Sequence, residues 1–289
     1  MKLFKLIASV AFLFSAGMLY AFPEAPVQSL KFRPDPFAFT SNAYNFEGIV
    51  KLSNCSGSLV ILEGQNFNAK GLVLTNGHCV PKGVFGGMLG PNEVVINKAV
   101  RRQMKLFKDL KTLFTINATK IVYATMSQTD MALYELDESY QQIYNRTGVS
   151  PLILSSKRPL EGTQIEIISG YWERGYSCGI DKFIYKMQEG DYYFADSVKY
   201  FPGCNTIGGT SGSPIIDPQT REVIAINNTG NESGRKCTMN NPCEINERGE
   251  IFAEKGTSYG QQTYKVYSCL NSSKEFVFTK SGCQLPSYR

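Results

Sequence analysis

His78 is the only histidine in the 289-residue chain, and it lies in the stretch LTNGHCV between a glycine and a cysteine. A lone imidazole excludes any site that needs two or more histidines. It is sufficient for general acid–base chemistry near neutral pH, because its unperturbed pKa is about 6.5. The chemistry open to His78 therefore depends on the nucleophile and the orienting acid that the rest of the chain supplies.

A candidate nucleophile, Ser211, lies in the glycine-rich segment CNTIGGTSGSPI, residues 204–215. Glycines permit positive φ and the close approach of a ligand, and successive backbone N–H groups in such a turn converge on an anion. An oxyanion hole requires this arrangement. An ordinary glycine–serine turn has the same composition, so the segment alone leaves both interpretations open.

A candidate orienting acid, Asp130, begins the alternating segment DMALYEL. An aspartate at that position would accept the Nδ1 proton of an imidazole and fix its tautomer, although many aspartates simply end a turn. The chain order His78, Asp130, Ser211 differs from that of α/β-hydrolases and of subtilisin-like enzymes. Only Asp35 precedes His78, and it lies between two prolines, so the order available is that of chymotrypsin-like proteases.

Taken together, CSGSLV, LTNGHCV, DMALYEL and GGTSGSP resemble the successive signatures of the trypsin-like serine protease family, over about residues 45–270. The resemblance implies an all-β fold of two six-stranded antiparallel Greek-key β-barrels of the chymotrypsin type, with the site in the cleft between them. Ser211 would then attack the scissile carbonyl, His78 would transfer the proton and Asp130 would orient the imidazole. Backbone N–H groups of Gly209 and Ser211 would form the oxyanion hole.

Two departures from the family pattern concern activation. In the zymogen branch, an aspartate directly before the serine pairs with a newly cut N-terminus, whereas this chain has the uncharged Thr210 there. The segment NFEGIVK also lacks a basic residue before an Ile-Val-Gly-Gly start. We therefore expect activity that does not depend on that switch, and the GTSGSP form resembles bacterial extracellular proteases of the glutamyl-endopeptidase branch.

The specificity pocket is predicted from position relative to Ser211, and its expected residues are Asn205, Thr206, Asn227 and Gly230. No aspartate lies at the expected base, which argues against a preference for lysine or arginine. The glutamyl branch places a second histidine in this pocket, and this chain has none. The sequence therefore favours a polar, uncharged or small substrate side chain.

All eight cysteines follow residue 21, which favours a disulfide framework over free thiols or metal ligands. Zinc sites prefer paired CxxC spacing and neighbouring histidines, so neither a metal nor a cofactor is expected. The clustering of the cysteines favours pairing between neighbours, and the first pair resembles the family bridge beside the histidine. The expected pairs are Cys55 with Cys79, Cys178 with Cys204, Cys237 with Cys243, and Cys269 with Cys283.

Residues 1–21 combine two lysines, an apolar run and a small residue, Ala21, at a position suited to signal peptidase. We interpret them as a cleaved export signal, so the protein is expected to be secreted or periplasmic. An uncleaved membrane anchor would want about 20 continuous apolar residues, and Ser15 to Gly17 interrupt the run. No membrane association is expected after cleavage.

About a dozen short β-branched or alternating segments bounded by turn residues predict an all-β chain. The expected organisation is an N-terminal extension at 22–44, a first barrel at 45–150, a second barrel at 151–268 and a disulfide-bridged hairpin at 269–289. Strands are also expected at 263–268 and 275–279. The basic stretch at 100–111 is predicted to be a short helix or an exposed loop on a solvated face.

The charge is too mild to favour nucleic acid as a partner. The chain carries a net charge of +5, and loss of Lys2 and Lys5 with the signal leaves +3. A polypeptide substrate and a monomeric state are expected. The leading hypothesis is a secreted serine endopeptidase; the alternatives are a catalytically silent binding or adhesion protein with the same fold, and an esterase that uses the same triad.

Overall fold

A computed structural model describes residues 44–82 and 87–287. The predicted signal peptide, and the extension as far as residue 43, lie outside these residues. Within these residues, one α-helix, α1 (Tyr140–Thr147), and two short 3₁₀ helices accompany fifteen strands. The strands are β1 (Ile49–Lys51), β2 (Ser56–Leu62), β3 (Lys70–Thr75), β4 (Val94–Phe107), β5 (Leu113–Thr125), β6 (Met131–Ser139), β7 (Leu152–Leu154), β8 (Gln164–Ser169), β9 (Arg174–Glu189), β10 (Tyr192–Tyr200), β11 (Pro214–Ile216), β12 (Val223–Gly230), β13 (Cys243–Ile245), β14 (Ile251–Phe252) and β15 (Ser258–Gln262).

The first six strands close into an antiparallel barrel. Its pairing runs β1–β2–β3–β6–β5–β4 and returns to β1. Side chains that alternate along these strands fill the interior, among them Leu59, Val73 and Tyr134, which are fully buried. The closing contact is short, because β1 pairs with β4 only at Lys105 and Leu106, and the earlier part of β4 pairs with β5 alone among the described strands.

A second antiparallel barrel closes in the order β8–β9–β10–β15–β12–β11 and returns to β8. Ile167, Tyr200 and Ile215 are buried inside it. The short β7 pairs in parallel with β2 of the first barrel and with β12 of the second. The structure therefore confirms the predicted all-β fold of two six-stranded barrels of the chymotrypsin type.

Contacts between the barrels place the site. One buried cluster contains residues of both barrels, including Leu74 on β3 and Ile226 on β12. The backbone N–H of Ser56 on β2 donates to the carbonyl oxygen of Ser211 over 2.8 Å. The loop that carries Ser211 is thus anchored directly to the barrel that carries His78.

The basic stretch at 100–111 was predicted incorrectly, because residues up to Phe107 belong to the long strand β4. Burial alternates there with a period of two: Met104 and Leu106 are buried, whereas Lys105 between them is exposed. Of the basic residues, Arg102 reaches the buried Tyr134 and donates to its hydroxyl over 2.7 Å, whereas Arg101 and Lys105 are exposed on the outer face. The density of the basic residues obscured the alternation of the apolar residues.

The expected strand at 263–268 is also incorrect, since Tyr264–Cys269 form a 3₁₀ helix. Residues 275–279 do not form a strand either, and only an isolated bridge joins Leu270 to Phe276. The alternating aromatic residues of this tail anchor it to the core instead. Phe278 is buried and stacks on Tyr123, with the ring centroids 4.9 Å apart.

Helix α1 was not predicted, because its eight residues make only about two turns. Its ends nevertheless carry the usual signals. Ser139 and Gln142 form a capping box at the start, and Gly148 ends the helix with φ of 70°.

Four disulfides link neighbouring cysteines in sequence, and they are Cys55–Cys79, Cys178–Cys204, Cys237–Cys243 and Cys269–Cys283. No cysteine in the described part of the chain is free. These are the pairs favoured by the spacing. No described helix combines the length and the apolar character needed to cross a bilayer.

Candidate active site

His78 and Asp130 meet because the strands before and after them are neighbours. His78 lies in a 3₁₀ turn directly after β3, and Asp130 directly precedes β6, which pairs with β3. His78 Nδ1 lies 2.6 Å from Asp130 Oδ2, and the backbone N–H of His78 donates to Oδ1 over 3.0 Å. Both carboxylate oxygens therefore hold the histidine, which fixes the position of its ring as well as its tautomer.

A glycine before the histidine makes this approach possible. A Cβ on Gly77 would lie 2.0 Å from the carbonyl oxygen of Thr125, so any side chain there would push the turn away from β5. The side-chain amide of Asn76 donates to the carbonyl oxygen of Asp130 over 2.8 Å. The disulfide between Cys55 and Cys79 holds the other end of the turn.

The pKa of His78 is raised above its ordinary value. Burial alone would lower this pKa, but the charge and hydrogen bond of Asp130 outweigh burial, and the carboxylate of Glu189 adds to the effect. Glu189 is itself buried, and burial raises its pKa despite hydrogen bonds from the Asn240 N–H and the Thr229 side chain. The imidazolium form of His78 is therefore flanked by two carboxyl groups.

Ser211 borders the same cavity as His78, Asp130 and Glu189, a space of about 80 Å³. Its hydroxyl donates to the carbonyl oxygen of Asn228 over 3.2 Å. Within the described residues, no hydrogen bond joins the Ser211 hydroxyl to His78. A change of the Ser211 rotamer is the motion that redirects this hydroxyl within the cavity.

The loop before Ser211 presents two free backbone donors. Thr210 N–H bonds to the carbonyl oxygen of Ile207, whereas the N–H groups of Gly209 and Ser211 bond to no described residue. Gly209 has a φ of +89°, and a Cβ there would lie 2.8 Å from Trp172 Nε1. Only glycine fits this conformation and this contact.

Trp172, the only tryptophan of the chain, holds this loop in place. Its indole N–H donates to the carbonyl oxygen of Gly208 over 2.7 Å. That carbonyl belongs to the same planar peptide unit as the Gly209 N–H, and the two groups of a trans peptide point in opposite directions. The Gly209 N–H is therefore directed away from Trp172.

Thr210, which replaces the aspartate of the zymogen branch, is fully buried. Its hydroxyl oxygen lies 3.3 Å from the hydroxyl oxygen of Tyr176. Two uncharged hydroxyl groups therefore contact each other at this buried position.

A second cavity, of about 330 Å³, adjoins the first at Ser211. The four predicted pocket residues, Asn205, Thr206, Asn227 and Gly230, all border it. Three residues of the site were not predicted from the sequence: Glu189, Trp172 and Tyr200, whose hydroxyl donates to Asn227 Oδ1 over 3.0 Å. Each reaches the site from a distant strand or loop, so no local motif signals it.

A cluster with metal-ligand chemistry coincides with the histidine. Ligand atoms of Cys55, His78 and Cys79 lie within 4.8 Å of one another. Both sulfurs belong to a disulfide and offer no thiolate, which is the form of cysteine that binds zinc. The donor set therefore does not fit a metal.

The fold and the arrangement of these residues define a trypsin-like serine protease domain. The sequence profile of the trypsin-like peptidase domain family matches residues 55–226, more than half of the chain, and the chain belongs to that family. Members of this family act on polypeptides. No curated protein sequence matches the chain.

Several solved structures are similar to this chain at low sequence identity. The Rv3671c protease from M. tuberculosis, in its active form, is 14% identical with a TM-score of 0.51, covering 94% of this chain and 97% of its own. A Glu endopeptidase in complex with MPD is 17% identical with a TM-score of 0.45, over 77% and 87% of the two chains. The Nocardiopsis protease is 16% identical with a TM-score of 0.43, over 75% and 92%.

Proposed function

We propose that this protein is a secreted serine endopeptidase that cleaves peptide bonds through Ser211, His78 and Asp130. The observation that carries the proposal is the 2.6 Å contact between His78 Nδ1 and Asp130 Oδ2 in the cavity that Ser211 also borders. The sole histidine of the chain is thereby oriented beside a serine whose loop presents free amide donors.

In the proposed reaction, the Ser211 hydroxyl rotates from Asn228 towards His78 and attacks the scissile carbonyl carbon. His78 Nε2 takes the hydroxyl proton and returns it to the leaving amine, which departs and leaves an acyl-enzyme. Water, deprotonated by His78, then releases the acid and restores Ser211. Asp130 keeps Nδ1 protonated and stabilises the imidazolium in both steps.

The free N–H groups of Gly209 and Ser211 are proposed to bind the oxyanion of each tetrahedral intermediate. In enzymes from which one such donor has been removed, the activation barrier rises by about 3 kcal/mol. Because Thr210 is neutral and paired with Tyr176, no newly cut N-terminus is needed to complete the oxyanion hole. A form with one or two extra residues before the mature N-terminus is therefore expected to keep its turnover.

Export is supported by the disulfides, which persist in oxidising compartments such as the periplasm and the extracellular space. The apolar segment at 1–21 is proposed to be the cleaved signal. After cleavage we propose a monomer without a cofactor that acts on polypeptides and binds neither nucleic acid nor membrane.

The test is cleavage of a mixed peptide library by the refolded, oxidised protein, compared with Ser211→Ala. We expect cuts at internal peptide bonds by the wild type and none by the variant. Hydrolysis of activated esters without peptide cleavage would favour an esterase instead. Inactivity towards both substrates, in protein with all four disulfides formed, would favour a binding protein and contradict the proposal.

A further inference from the structure

The cavity of about 330 Å³ beside Ser211 is lined mainly by uncharged residues, most of them asparagine, threonine, serine and glycine. Its only ionisable lining residues with a formal charge, Glu232 and Lys255, are exposed and opposite in sign. The cavity therefore carries no net charge to compensate a buried ion, and burying a charged substrate group there would be unfavourable.

The orientation of Asn227 gives the cavity a fixed hydrogen-bond donor. Asn227 is 2% exposed, and its Oδ1 accepts a hydrogen bond from the Tyr200 hydroxyl behind it. Burial raises the pKa of Tyr200 well above its ordinary value, so the phenol keeps its proton. With Oδ1 occupied, the amide group has Nδ2 left, and this nitrogen bonds to no described residue.

A second amide points to the same chemistry. Asn228 borders the cavity and is 3% exposed, and its Nδ2 is buried without a hydrogen-bond partner. An unpaired buried donor costs about 1–3 kcal/mol, so a rotation of the Asn228 amide that brings Nδ2 to a ligand oxygen is favoured. The buried Ser258 hydroxyl also borders the cavity and forms no hydrogen bond with a described residue, so it is available as an acceptor.

We propose that this cavity selects a glutamine or asparagine side chain on the amino side of the scissile bond, with Asn227 Nδ2 as the donor to its amide oxygen. The amide nitrogen of the substrate finds its acceptors among the hydroxyl and carbonyl oxygens of the wall. A carboxylate of the same shape would find one cation at the wall, the exposed Lys255, whose charge Glu232 offsets. Tyr200 acts as a positioning residue, because it fixes which end of Asn227 faces the substrate. The role assigned to the cavity rests on the proposed peptidase function.

Binding to the inactive Ser211→Ala protein tests the selection without any need for turnover. Four peptides that differ only in a C-terminal glutamine, glutamate, methionine or lysine are titrated by calorimetry. Methionine is the sharpest comparison, because it matches glutamine in length and lacks the amide. We expect the glutamine peptide to bind about tenfold or more tightly than the methionine peptide, which corresponds to about one to two hydrogen bonds, and also more tightly than the glutamate peptide.

Two further substitutions in the Ser211→Ala background separate selection from folding. Asn227→Leu removes the donor, and Tyr200→Phe keeps the packing but releases the amide; both are expected to reduce the preference for glutamine over methionine to about twofold or less. Asn145→Asp, on the exposed face of α1, is the matched control and should leave the preference unchanged.

Three results would overturn the inference: equal affinities for glutamine and methionine, tighter binding of glutamate or lysine, or no binding by any of the four. None of these bears on the peptidase function itself, which the library experiment with the wild type decides. Conversely, even if the wild type cleaves no substrate, the binding assay can still show a preference for glutamine.

Discussion

At the scale of single residues, two carboxyl groups, rather than one aspartate alone, lie close to His78, the proposed general base. Asp130 contacts the imidazole of His78 directly, and the buried Glu189 borders the same cavity. Both carboxyl groups favour the imidazolium, which stabilises the charge that develops during catalysis. The same effect restricts the pH range, because a protonated His78 cannot accept the proton of Ser211.

The pH dependence of kcat/KM should show this. Because the pKa of His78 is raised, we expect activity at alkaline pH and its loss as the pH falls through a midpoint above about 6.5. Glu189→Gln removes one of the groups that raise this pKa, so its midpoint should lie at lower pH than that of the wild type. Glu161→Gln, an exposed carboxyl on a turn, is the control. Identical midpoints in wild type and Glu189→Gln would contradict the role given to Glu189.

Asp130→Asn tests the orientation of the base. The amide can donate a hydrogen bond to Nδ1, which favours the wrong tautomer, so kcat is expected to fall about 10⁴-fold. Circular dichroism should show that the variant is folded. A decrease of less than tenfold in the folded variant would mean that His78 and Asp130 do not act together.

The sequence indicates the three principal residues because each lies in a compact motif and their chain order matches one known triad arrangement. The sequence gives no comparable signal for three other residues of the site, Glu189, Trp172 and Tyr200. They come from β9, from the turn after β8 and from the end of β10, and only the closure of the second barrel brings them to the loop of Ser211 and to Asn227.

At the scale of elements, the turn after β8 supports the loop that presents the oxyanion donors. Tyr171 and Trp172 pack edge to face, with ring centroids 5.0 Å apart, against the position of Gly209. The indole bond to the Gly208 carbonyl fixes the peptide whose N–H faces the other way. Rotation of that peptide would remove one of the two donors.

Trp172→Phe should therefore affect the chemical step more than binding. Loss of one hydrogen bond of ordinary strength predicts a decrease in kcat of about two- to tenfold, with KM nearly unchanged. Steady-state kinetics on one peptide substrate measures both values, and Tyr185→Phe on the exposed face of β9 is the control. A rise in KM with unchanged kcat would assign Trp172 to substrate binding instead.

Two segments differ from their predicted secondary structure for the same physical reason. In β4 the exposed side chains are basic, and their density suggested a helix or loop. In the C-terminal tail, the alternating aromatic side chains indicate a strand, but they insert into the core of a segment that the Cys269–Cys283 disulfide bends back. Alternation reports which side chains are buried; the hydrogen-bond partners of a segment depend on the tertiary fold.

At the scale of the whole molecule, the two barrels must keep their relative position to within a fraction of the length of a hydrogen bond. The bond from Ser56 N–H to the Ser211 carbonyl, the parallel pairings of β7 and the shared buried cluster all cross from one barrel to the other. The closed barrels were predictable from the family signatures. The contacts between them depend on side-chain packing that no short motif encodes.

The disulfides should contribute unequally to the free energy of unfolding. Cys55–Cys79 spans a sequence separation of 24, and Cys237–Cys243 spans 6. The loop-entropy relation predicts that replacing both cysteines with alanine costs about 3.5 kcal/mol for the first bridge and about 2.4 kcal/mol for the second. Denaturant unfolding measures both. A smaller loss for the first pair than for the second would contradict the loop-entropy account of these two bridges.

The most direct measurement for the whole account is the reaction of the native, oxidised protein with a fluorophosphonate, followed by mass spectrometry. We predict a single adduct on the Ser211 hydroxyl in the wild type, none in Ser211→Ala or in heat-denatured protein, and strongly slowed labelling in His78→Ala. Native wild-type protein that remains unlabelled, or that carries the adduct on another residue, would contradict a hydrolytic serine at this site.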